Sequence, residues 1–202
     1  MRDLAAQKED ANGPGPLGSE PWEQDLLHRF RNGESAAFGQ LLRYHQTRVF
    51  SLICRLVARR DEAEELMQEA FLQAFRLIGR FPEVRPFRPW LFRVAVNVCR
   101  NHLRAASRRE APGEFDDAVQ PLWQDRPETP EQEAVSGAEL ERLERALSHL
   151  SIEDRSLFLL RCREGLPYEE LGEILGVRAS ALRVRYHRVL QRLRGLIHGA
   201  VQ

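Results

Sequence analysis

From Phe38 to Leu56 the apolar positions step by four, three, four, three and four residues, through Leu42, His45, Val49 and Leu52. That is the period of one face of a long helix and of no strand. Structure is expected to begin near Trp22, with a short helix carrying Leu26, Leu27 and Phe30, separated from the long one by Asn32-Gly33. Asp61, followed by Glu64, looks like the N-cap and capping-box partner of a third helix that buries Leu66 or Met67, Ala70, Ala74 and Ile78. Beyond a proline-broken loop, Arg80 to Pro89, a fourth helix has Phe92, Val96, Cys99 and Leu103 inward.

The helical period stops between residues 107 and 135, where Pro112, Gly113, Pro121, Pro127 and Pro130 stand among acids with too few apolar residues to pack. It resumes with Leu140, Leu143, Leu147 and Leu150, then with Leu157 and Leu160. A short helix from Pro167 to Leu175, a turn at Gly176 and a long final helix with Leu182, Tyr186, Val189, Leu193 and Ile197 inward give a helix-turn-helix outline. No alternating strand pattern and no internal repeat competes with this. The expected fold is all-α: a flexible tail (1–21), a first helical domain (22–106), a flexible acidic linker (107–135) and a second, four-helix domain (136–202). A chain of 202 residues with 43% apolar content has enough core for two small domains.

No window approaches the roughly 18 apolar residues that span a membrane, and the first 20 residues lack a signal-peptide core, so a soluble, cytoplasmic protein is expected. Cys54, Cys99 and Cys162 lie far apart with no CxxC pair and read as small core residues rather than a disulfide or zinc set, leaving a redox role as the minor alternative. The six His residues form no metal-ligand motif and no Gly-rich phosphate loop is present, so neither enzyme chemistry nor a cofactor is expected.

The formal net charge of zero conceals sorting along the chain. Residues 85–109 hold seven Arg and no acid, residues 110–133 hold eight acids and one Arg, and residues 178–194 hold six Arg and no acid. Lys occurs once, at Lys8, so almost every cation is a planar guanidinium suited to bidentate phosphate or base-edge contacts. On the fourth helix Arg93, Asn97, Arg100 or Asn101, and Arg104 share the face opposite the apolar stripe. Phe81, Phe87 and Trp90 are bunched beside it with Arg85 and Arg88. A base resting on an aromatic plane gains about 1–3 kcal/mol, which offsets the cost of unstacking it, so this surface suits opened DNA. Equally, the three aromatics can be core anchors and the arginines a solvated face.

The final helix presents Arg178, Ser180, Arg183, Arg185, His187, Arg188, Arg192 and Arg194, with positions near its start placed to reach bases and later ones to hold phosphates. About four phosphate contacts there imply a logarithmic salt slope of roughly −3.6. The third helix is acidic, with Asp61, Glu62, Glu64, Glu65 and Glu69 beside Gln68 and Gln73. Helix-dipole stabilisation explains acids in the first turn but not Glu69, which points to a basic protein partner.

Three strings now carry a resemblance: AEELMQEAFLQAF (63–75), FRPWLFRVAVNVCRNHL (87–103) and LSIEDRSLFLLRCREGLPYEELGEILGV (150–177). In order and spacing they resemble the conserved regions of extracytoplasmic-function (group 4) sigma factors of the sigma-70 family, over about residues 22–106 and 136–197. The resemblance implies a promoter-specificity subunit of RNA polymerase without catalytic activity. Its first domain would bind the beta-prime clamp helices and the minus-ten element, and its linker would thread toward the active-site cleft, where a polyanion fits a cationic channel. Its second domain would hold the minus-thirty-five element and the beta flap, and an anti-sigma factor is the implied restraint. It places Glu64, Glu65, Gln68 and Glu69 against the clamp helices, and Asn97 and Asn101 with the Phe81–Phe87 loop on non-template bases. Arg183, Arg185, His187 and Arg188 would meet the upstream element.

Three departures stand out. Pro82, Glu83 and Val84 replace an Arg-Gly-Asp-like loop, so the resemblance does not carry the identity of the captured minus-ten base. Leu150-Ser151 replaces Leu-Pro, and Arg178-Ala179-Ser180-Ala181 replaces the Pro-x-Gly-Thr turn. Two other classes fit parts of the pattern. A dimeric helix-turn-helix regulator of duplex DNA would leave the aromatic-Arg stripe and acidic helix without a task. A protein-only adaptor would be indifferent to loss of Arg183 and Arg188 in DNA-binding assays.

Overall fold

The computed structural model describes residues 20–57, 59–81, 86–109 and 137–199, and all the regular structure among them is helical. Residues 1–19 of the expected tail and 110–135 of the expected linker, with Pro82, Glu83, Val84 and Arg85, lie outside the described residues, while the first three linker positions, 107–109, belong to the last helix of the first unit. The first unit comprises α1 (Pro21–Arg31), α2 (Ser35–Leu56), α3 (Arg60–Leu77), a 3-10 turn (Ile78–Arg80) and α4 (Phe87–Arg109). The second comprises α5 (Gly137–Ser148), α6 (Ile152–Cys162), α7 (Tyr168–Leu175) and α8 (Ala179–Gly199). No helix among the described residues is long and apolar enough to cross a membrane.

Most positions of the stripes read from spacing are buried, while Leu42, Leu103, Leu143, Tyr186 and Ile197 are half-buried. Phe38, His45, Val49, Leu52 and Leu56 of α2 are buried, together with Leu41 and Ile53, while Ala63, Leu66, Ala70 and Ala74 of α3 face them. Each such large side chain contributes about 1.5–3 kcal/mol on burial. α3 starts two residues earlier than the capping pattern implied: it begins at Arg60 with Arg59 at the N-cap position, no side chain caps it, and the Asp61 carboxylate accepts from Arg59 at 2.5 Å. Asp61 is thus spent on an exposed ion pair with the residue that precedes the helix.

In the second unit, Ser151 caps α6, its Oγ accepting from the Asp154 amide at 3.2 Å, so serine here supplies the helix start. α7 and α8 are joined by a tight turn in which Gly176 adopts φ +72°, and Gly172 lies against the turn: a Cβ there would come 2.8 Å from the Val177 carbonyl oxygen. Leu182, Val189 and Leu193 of α8 pack inward against α5, α6 and α7.

Charge sorting implied two faces held apart, but the units pack on one another, α4 against α7 and α2 against α6. This is why α4 buries more than its expected stripe. Leu91, Val94, Ala95 and Val98 are buried along with Phe92, Val96 and Cys99, because α4 has α2, α3 and α7 around it.

Candidate nucleic-acid interface

Arg93, Asn101 and Arg104 of α4 are exposed, and Asn97 and Arg100 are half-buried on the same side. Arg100 Nη1 donates to Asn97 Oδ1 at 3.4 Å, which orients the amide, and its Nε stands 3.6 Å from Glu153 of α6. The aromatics divide. Phe81 and Phe87 are 4% and 0% exposed, and Phe87 packs edge-on to Phe38 and Phe81. As arranged here these two offer no ring face to a base: they anchor the start of α4 in the core. Arg31 fixes that end of the loop, donating to the Phe81 carbonyl at 2.7 Å. Trp90 is half-buried, 5.0 Å from Phe81 and 5.4 Å from Phe87, and alone of the three reaches the surface.

Arg178, just before α8, and Ser180, Arg183, His187 and Arg188 on it are exposed. Arg183 donates to Glu169 of α7 at 3.1 Å and lies over the Tyr168 ring, so the guanidinium is held on the outer edge of the turn. Arg185 differs from its neighbours: its Nε donates to Asp154 of α6 at 2.5 Å and it is half-buried, so it ties α8 to α6. The exposed Val184, beside Arg188 and Arg192, lines a groove along the same helix.

Glu64, Glu65, Gln68 and Glu69 of α3 are all exposed, with Glu69 accepting from Gln73 at 3.0 Å. Next to them stand Leu72 and Phe75, 57% and 53% exposed, which spacing did not single out. Their signal was available, since both fall off the Leu66, Ala70, Ala74, Ile78 stripe while remaining large and apolar. An apolar pair rimmed by carboxylates is the form of a protein-docking surface.

Two of the three cysteines are buried. Burial pushes the Cys54 thiol up to about 11 and the Cys99 thiol up to about 12, which keeps both as unreactive thiols, whereas Cys162 is exposed rather than a core residue.

A short helix, a glycine turn and an arginine-lined helix, joined to a second helical unit with its own polar cationic face, define a DNA-binding protein with two contact surfaces. Residues 41–109 match sigma-70 region 2 and residues 140–193 match sigma-70 region 4. The chain is 34% identical to the ECF RNA polymerase sigma-E factor of Haemophilus influenzae, over 87% of this chain and 95% of that one. It is 30% identical to the RNA polymerase sigma-H factor of Pseudomonas aeruginosa, over 82% and 89%. Its fold is shared with the sigma factor RpoE of Bartonella quintana, solved in complex with the anti-sigma factor NepR (TM-score 0.65, 23% identity, 80% of this chain and 96% of that one). The chain therefore belongs to the extracytoplasmic-function sigma factors of the sigma-70 family. It binds core RNA polymerase, recognises minus-ten and minus-thirty-five promoter elements and promotes the DNA opening that starts transcription.

Proposed function

We propose that three surfaces divide this work. On α4, Trp90, Arg93, Asn97, Arg100, Asn101 and Arg104 hold non-template bases and phosphates of the minus-ten element, while Phe81 and Phe87 act only by positioning the start of that helix. Arg178 at the entry to α8, and Ser180, Arg183, His187 and Arg188 on it, meet the minus-thirty-five element, and Arg185 orients the helix through Asp154. On α3, Glu64, Glu65, Gln68 and Glu69, with Leu72 and Phe75, dock on the clamp helices of the beta-prime subunit.

The observation that carries this is the single polar face of α4, where guanidiniums and amides alternate at helical spacing beside one half-exposed indole. Such a face grips bases already separated from their stack. The working domains are residues 22–106 for core and minus-ten binding and residues 136–202 for minus-thirty-five and beta-flap binding. Residues 107–135 lie in the nucleic-acid channel as an anionic strap. The protein carries no catalytic activity of its own, acts in the cytoplasm, and is held in check by an anti-sigma factor, as the RpoE relative's complex with NepR supports.

Run-off transcription with purified core polymerase over genomic fragments, with transcript starts mapped, tests the proposal. Discrete starts dependent on Asn101 and Arg188 are expected. Failure of the chain to associate with core enzyme would end it.

A further inference from the structure

Val184 stands in the second turn of α8, 55% exposed, the one large apolar side chain so open among the described residues of the second unit. One turn before it on the outward line lie Ser180 and Ala181, and one turn after it His187 and Arg188, all exposed. Apart from Ala181 these neighbours are polar. The guanidiniums beside it in the chain are tied away from that line: Arg183 is drawn toward α7 by Glu169 and Tyr168, and Arg185 toward α6 by Asp154. The crest of the helix between them is left to the valine.

A valine there does nothing for the helix itself, since β-branched residues are weaker helix formers than the arginine and alanine around it. What it offers is two methyl groups held in one preferred rotamer. The opening turns of the second helix in a helix-turn-helix enter the major groove. In that groove the C5-methyl of thymine is the apolar group that a base pair presents. Residues 178–194 hold no acid, so nothing on this face repels the phosphates that border the groove.

We infer that Val184 is a specificity-determining residue, packing its methyl groups on the C5-methyl of a thymine in the minus-thirty-five element. This rests on the assignment of α8 to that element proposed above. The arginines hold the duplex by charge and hydrogen bonds, and the valine adds a preference set by apolar contact. Cytosine in the same place lacks the methyl group and brings an amino donor against a side chain that accepts no hydrogen bond, so it is disfavoured.

The test uses holoenzyme assembled from the full chain and core polymerase, on the promoter fragment that gives the strongest mapped start. Each thymine of the minus-thirty-five region, on either strand, is replaced in turn by deoxyuridine, which removes the C5-methyl and nothing else. Binding is measured by competition in the cold, before the strands open, at one salt concentration. One position should lose about fourfold in affinity, the worth of one buried methyl group. Val184→Ala keeps a good helix former in place and should bind thymine and deoxyuridine at that position alike, both more weakly than the parent binds thymine. With cytosine at that position, 5-methylcytosine should regain about the same factor for the parent and not for Val184→Ala.

A minus-thirty-five region in which no thymine responds to loss of its methyl group overturns the inference, and so does a response that Val184→Ala leaves in place. Arg188→Ala tells this apart from failure of the α8 assignment. If that variant binds every fragment as the parent does, α8 does not meet the element and both readings fall. If it binds all of them more weakly, the assignment stands and the deoxyuridine series alone decides for or against Val184.

Discussion

His45 of α2 and Glu23 of α1 meet with Nε2 and Oε1 2.8 Å apart, and their side chains are 1% and 4% exposed. The pair stands between the rings of Trp22 and Phe87, where no water competes for the contact. Removing one partner of a buried hydrogen-bonded pair leaves the other unsatisfied, at a cost of about 1–3 kcal/mol, whereas replacing both by apolar groups of similar shape can be nearly neutral. His45→Leu should therefore destabilise the first unit by about that amount, and Glu23→Leu/His45→Leu should recover most of the loss. Urea titrations of the two variants beside the parent chain check this, and a double variant as unstable as the single one would count against it.

Gly172 is required by what lies beside it. A Cβ at this position would meet the Val177 carbonyl at 2.8 Å, and a backbone atom in a tight turn has little room to yield. Gly172→Ala should cost about 1–3 kcal/mol, in the range of overpacking, and displace α8 relative to α7. Thermal unfolding should report the loss, and minus-thirty-five duplex binding should weaken with it.

Asn101 is exposed on α4 whereas Asn97 is oriented by Arg100. The role proposed for both is to hold bases after strand separation, and on that assignment Asn97→Ala and Asn101→Ala should leave promoter occupancy near normal and reduce melting. Potassium permanganate footprints should show weaker reactivity of unpaired thymines at matched occupancy. Unaltered melting in both variants would remove these amides from the opening step.

Arg188 and Arg185 are three residues apart on α8 with different neighbours. Arg188 is exposed, while Arg185 is committed to Asp154. Arg188→Ala should weaken duplex binding across sequences and reduce the magnitude of the logarithmic salt slope by about 0.9. Arg185→Ala should leave the slope unchanged and lower the melting temperature of the second unit. Equal slope changes for the two variants would show that the Asp154 pair gives way to DNA.

These contrasts mark what local pattern could and could not supply. The helices and their inward faces were legible because a 3.6-residue period is written in neighbouring residues, as in Phe38 to Leu56, and the turn at Gly176 because glycine is the residue that tolerates φ +72°. Contacts distant in sequence were not. Arg185 and Asp154 are 31 residues apart, Glu23 and His45 are 22 apart, and nothing in their spacing pairs them. Phe81 and Phe87 show the same limit: an aromatic beside arginine has one sequence signature whether its ring meets a base or a core, and only packing against Phe38 distinguishes the two. The meeting of α4 with α7 joins segments on either side of a long acidic stretch, and no local period encodes it.

Glu164, in the connection between α6 and α7, gives the fold a pH dependence of definite sign. Burial pushes its carboxyl above the ordinary value of 4.5, against the opposing pull of Arg48, Arg88, Arg163 and His45. A carboxyl that protonates more readily in the folded chain than in the unfolded one stabilises the fold at low pH. That contribution is lost as pH rises through the raised folded value. At neutral pH, where the unfolded chain carries this carboxyl ionised, Glu164 is therefore a net cost to folding, and Glu164→Gln, which keeps the shape without the charge, should raise the melting temperature by roughly 2–4 °C for each 1 kcal/mol relieved. The advantage should shrink as pH falls and vanish below about 4.5, where both states of the parent chain are protonated. Scanning calorimetry of the two proteins from pH 7.5 to pH 4 measures this, and a glutamine variant less stable than the parent at pH 7.5 would mean that the surrounding arginines outweigh burial.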